Sequence, residues 1–139
     1  MGNLEKFLGQ NPELRSFIFG VGDILADDVS VVITRPNIAP APTAAAWSYS
    51  VPFEIRSART GDVLPINGVI GQAAGDTSTA GTAAVPAATT TVTMGRGTAT
   101  ITGDAQDWLN TETATLTLTY TNLRGGTDTD QFVITFTTP

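Results

Sequence analysis

The side chains best suited to chemistry in this chain are its carboxylates, because it contains no histidine and no cysteine. Without imidazole or thiol there is no Ser-His-Asp or Cys-His nucleophile system and no thiolate or imidazole metal site, so a cation would find only oxygen ligands. Acids gather at Asp23, Asp27 and Asp28, at Asp104 and Asp107, and at Asp128 and Asp130. A calcium site needs several such oxygens converging on one point. Asp104 with Asp107 instead suits a helix N-cap followed by an acid in the first turn, where the helix dipole favours negative charge. Asp128 with Asp130, beside Arg124, Gly125 and Gly126, suits a solvated hairpin loop. No pair of acids is flanked by the aromatic platforms of a glycosidase. Gly20-Val21-Gly22 and Gly95-Arg96-Gly97 are too short for a dinucleotide or phosphate loop. The sequence thus nominates no catalytic residue, no metal site and no cofactor, and the expectation is a protein that is not an enzyme.

The elements that carry these residues fall into two parts. A length of 139 residues predicts one domain with an independent core, and the lack of cysteine leaves stability to packing or to partners. Residues 1 to 28 hold bulky apolar side chains, among them Leu4, Phe7, Leu8, Leu14, Phe17, Ile18 and Phe19, and no threonine. Asn11-Pro12-Glu13 reads as a helix start, with Leu14, Phe17, Ile18 and Val21 at helical spacing; the glycines at 20 and 22 leave a strand as the alternative. The expectation is a short N-terminal helical or extended arm. From Val29 the pattern becomes period-2. Trp47, Tyr49, Val51, Phe53 and Ile55 share one face; Ala99 and Ile101, then Ala114, Leu116, Leu118 and Tyr120, alternate with threonines; Phe132, Ile134 and Phe136 close the series. Pro52 inside the second run marks an edge or a bulge. Gly71 to Ala88 reads as a long surface loop with a short strand near Gly81 to Val85, and Asp104 to Leu109 as a helical turn packing Trp108 and Leu109 onto one end. Six or seven such strands make an all-β, immunoglobulin-like antiparallel β-sandwich over residues 29–139.

The run from Asp76 to Val85, Val92-Thr-Met-Gly-Arg-Gly-Thr-Ala-Thr-Ile101, Gly103-Asp-Ala-Gln-Asp-Trp108 and Thr113-Ala-Thr-Leu-Thr-Leu-Thr119 resembles immunoglobulin-like modules in structural proteins of tailed bacteriophages. The resemblance covers roughly residues 29 to 139. It implies a structural virion protein, a capsid decoration or cement protein that binds the assembled head lattice and stabilises it. Its partners would be the major capsid protein or other virion subunits, and its location the virion, assembled in the host cytoplasm. An adhesin-like or glycan-binding β-sandwich module is the alternative. A single module and an N-terminus without the basic flank of a secretion signal favour the virion reading.

Partners are also indicated without that resemblance. Ten bulky apolar side chains in 28 residues exceed what a monomer leaves exposed, so the arm must be covered by its own sandwich, by neighbouring subunits or by a capsid lattice. A homo-oligomer is expected, with Leu4, Phe7, Leu8, Leu14, Phe17, Ile18 and Phe19 as the partner-binding residues and Arg56 and Arg59 as rim contacts. A formal charge of -6 with the one lysine, Lys6, argues against nucleic acid, and the longest apolar runs fall short of a membrane span. Threonine on the exposed strand faces favours sheet and solubility without charge, which suits a protein that packs in many copies.

Overall fold

The computed structural model describes residues 29–122 and 125–139. The arm residues, Leu4, Phe7, Leu8, Leu14, Phe17, Ile18 and Phe19 included, lie outside that range. Among the described residues there are eight strands and no helix: β1 (Val29–Ile33), β2 (Trp47–Ser57), β3 (Gly68–Asp76), β4 (Ala83–Ala84), β5 (Thr89–Val92), β6 (Arg96–Gly103), β7 (Thr113–Thr121) and β8 (Thr127–Thr135). They form two four-stranded antiparallel sheets, ordered β1-β2-β6-β4 (sheet A) and β5-β3-β7-β8 (sheet B). Sheet A faces sheet B as an all-β, immunoglobulin-like sandwich.

Alternation decides the core. Val51, Phe53 and Ile55 of β2 with Ala99 and Ile101 of β6 meet Ile70 of β3, Leu116 and Leu118 of β7, and Phe132 and Ile134 of β8; all are buried. Burying one such side chain stabilises by about 1.5–3 kcal/mol. One end of the core is aromatic. Trp108, wholly buried, lies with its ring centroid 5.1 Å from Trp47 and 5.3 Å from Phe136. The rings fit because Gly81 and Gly103 have no side chain: a Cβ would come within 2.4 Å of Trp108 and 2.1 Å of Trp47 respectively.

Three expectations are corrected. Residues 71–76 are not loop: β3 runs from Gly68 to Asp76, paired between β5 and β7, with Ile70 and Gln72 buried. Weak strand formers occupy it because two neighbours supply its hydrogen bonds. The segment after Gly103 is not a helical turn. Asp104 uses its Oδ1 to accept from Thr82 N at 2.8 Å, Trp108 is bridged to Thr43, and Leu109 is exposed. Asp128 and Asp130 lie within β8, which begins at Thr127, and not in a loop.

Pro52 sits where sheet A needs no donor. β1 ends at Ile33, opposite Phe53, and the next carbonyl along β2 on that side, Pro52 O, accepts from Thr34 N at 3.0 Å. Arg35 then donates from Nη1 to Ser50 O at 3.0 Å, its guanidinium lying over Tyr49 and Phe132. Half of β2 is therefore an edge, which is where a proline is tolerated.

Candidate interaction surfaces

Among the described residues no group of three or more carboxylates is placed to hold a metal ion. Most act on the backbone. Asp128 Oδ2 accepts from Val31 N at 2.6 Å and Asp130 Oδ2 from Ile33 N at 2.8 Å, so side chains of sheet B satisfy the outer edge of β1 in sheet A. Asp76 accepts from Ala83 N, and Glu112, buried, accepts from Leu109 N, Thr79 N and Ser78 Oγ. Hydrogen bonds from Leu109 N, then from Thr79 N, hold the Glu112 carboxyl below the usual range. This staple joins the loop after β3 to the loop before β7, and no spacing rule in the sequence signals it.

The end of the sandwich where the arm enters gathers the rest of the predicted site. Val29, the first residue of β1, pairs with Ser57 at the end of β2, and Ser30 pairs with Arg56. Arg59 lies two residues beyond Ser57, in the turn that follows. Both rim arginines are thus brought beside the root of the arm. Arg56 is held by Glu54, which Arg96 Nε also reaches at 2.9 Å. Hydrogen bonds from Arg56, then Arg96, lower the Glu54 pKa. Between β1 and the start of β8 lies a cavity of about 450 Å³, lined by Val29, Ala58, Tyr120, Asn122, Gly126, Thr127 and Asp128. Burial raises the pKa of Tyr120. None of Tyr120, Ala58 or Thr127 is nominated as a site residue by the sequence. Tyr120 merely continues a core alternation there, and only the folding of β1 against β8 makes it a pocket wall.

The outer faces differ in charge. Sheet A carries Glu54, Arg56 and Arg96 outward. Sheet B presents threonines at 113, 115, 117, 119 and 121 of β7, Thr127, Thr129, Gln131, Val133 and Thr135 of β8, Val69, Gly71, Ala73 and Gly75 of β3, and Thr89 and Thr91 of β5, with no charged residue. The aromatic stripe of β2 is turned inward: Phe53 is buried, and Trp47 and Tyr49 are half-buried against the core.

No family model matches the chain, and no curated protein matches it. Among solved structures it is similar to a conjugative transposon lipoprotein from Bacteroides eggerthii, at 9% identity and a TM-score of 0.46, over 78% of this chain and 98% of that one. That structure is not a phage protein, and no family or curated match supports a phage origin. The resemblance to tailed-phage modules, and the virion location drawn from it, are corrected accordingly. The physical reason lies in the residues that suggested it. Thr-x-Thr alternation and a tight Gly hairpin are what exposed antiparallel strands need in any setting, so they specify sheet and not lineage.

Proposed function

We propose that this chain is a non-catalytic structural protein that works by assembling with copies of itself, its N-terminal arm docking on neighbouring subunits at the end of the sandwich where it enters. The observation that carries this reading is the cavity of about 450 Å³ between Val29 and Tyr120, at the root of an arm rich in Leu and Phe. A second support is that the described residues carry a buried apolar core drawn from both sheets, while the arm brings bulky apolar groups that need a surface to cover them. Asp76, Asp104, Glu112, Asp128 and Asp130 accept from backbone N–H groups, which suits a structural role.

Light scattering on the full chain and on residues 29–139 tests this. The full chain is expected to form an assembly, and the truncated chain to fall to a dimer or smaller while keeping one cooperative unfolding transition. A full-length monomer whose truncation abolishes cooperative unfolding would make the arm part of the core and overturn the proposal.

A further inference from the structure

We infer that the outer face of sheet B is a self-association surface on which a second copy of this chain packs face to face. The pairing deepens the assembly reading above, on which it rests, by naming a surface and its occupant. Charge selects the occupant. Each copy carries a net -6, so two copies approach with least repulsion through a face that bears no charge, and sheet B offers one whereas sheet A does not. An isologous contact must also be complementary to itself.

Shape supplies that complementarity. Gly71 faces Thr119 across the β3–β7 ladder, Ala73 faces Thr117 and Gly75 faces Thr115. A trough of hydrogen and methyl side chains therefore runs beside a ridge of threonines. A twofold axis parallel to the strands and midway between β3 and β7 lays the trough of one copy over the ridge of the other, twice. Val69, 60% exposed on the same face at the end of β3, is covered by the same contact. The area suits a reversible contact. With that axis β3 lies over β7 twice and the four residues of β5 lie over part of β8 twice, so at about 4.8 Å spacing and about 3.3 Å rise the pairing covers on the order of 800 Å² of sheet in total, the size of a weak, transient interface.

Because the chain has no cysteine, single-cysteine variants of the full chain report on this geometry alone. Thr117→Cys lies at the centre of the face; Ser50→Cys, exposed on the outer face of sheet A, is the control. With a short bismaleimide cross-linker, T117C is expected to give covalent dimer at least tenfold faster than S50C. Equal rates, or no cross-linking of T117C, would overturn the pairing. Thr117→Lys in the full chain, with its circular dichroism unchanged, is expected to weaken the dimer contact at least tenfold by sedimentation. If the full chain assembles but T117C does not cross-link, the face is refuted and the assembly reading stands. If the full chain is monomeric and T117C does not cross-link, both are refuted.

Discussion

Glu112 shows what an acid does in this fold. Its two oxygens accept from Leu109 N at 2.8 Å, Thr79 N at 2.9 Å and Ser78 Oγ at 3.0 Å, donors that all favour the ionised form. Its pKa is therefore lowered in the folded state, and at acid pH the unfolded chain binds more protons. The stability it contributes is fully present above the ordinary value of 4.5 and is lost as pH falls through the lowered one. Glu54, lowered by Arg56 and Arg96, acts with the same sign. The urea midpoint of the protein should fall on acidification below pH 4.5, and Glu112→Gln should lower the midpoint at neutral pH and flatten that fall. At the aromatic end, Trp108→Ala removes a wholly buried side chain and should cost about 3–5 kcal/mol in thermal or chemical unfolding. Gly81→Ala, which drives a methyl into the Trp108 ring, should cost about 1–3 kcal/mol by overpacking. The sequence marks Trp108 as an end-packing residue, but not the two glycines, because their role depends on rings brought from β2 and from the loop before β7.

Among the elements, β1 is held from two directions. β2 pairs its inner edge from Val29 to Ile33, while Asp128 and Asp130 satisfy Val31 N and Ile33 N on the outer edge. Segment 37–40 covers the neighbouring edge of β8, with Ile38 N donating to Val133 O and Thr135 N to Ile38 O. On the opposite flank the edges are short, two residues in β4 and four in β5. Both devices block edge-to-edge pairing. Replacing Asp128 and Asp130 together by Ala leaves two amides without their charged acceptors, at about 1–3 kcal/mol each. Hydrogen exchange should then accelerate at Val31 and Ile33 more than at the centre of β7; unchanged protection there would refute the staple. The parity of 128, 130, 132 and 134 is already visible in the sequence. What hides the strand is aspartate, which strands usually avoid and which is tolerated here only because β1 presents bare N–H groups to it. β3 is hidden for the related reason that Gly and Ala carry little strand signal of their own.

For the molecule as a whole, a charged outer face on sheet A is separated from an uncharged one on sheet B, and in the proposed assembly that separation decides how copies meet. Salt screens the repulsion between chains of net charge -6, and a contact through sheet B has no ion pairs to weaken. Self-association should therefore stay constant or strengthen between low and high salt in sedimentation experiments. Dissociation by salt would point to an ionic contact elsewhere.

The class of this protein is written in its residue order alone. Period-2 alternation dictates which side chains face inward, since a strand has only two faces, and the lack of histidine and cysteine removes whole families of chemistry. The packed sheets were needed to reveal what the acids do, which glycines make room for tryptophan, that the two rim arginines and a cavity share the arm's end, and that one face bears no charge. Each of these depends on residues distant in the chain, up to 97 positions apart for Asp128 and Val31. Local pattern specifies an element and its faces, but the partner across a sandwich is set by how strands are ordered and registered.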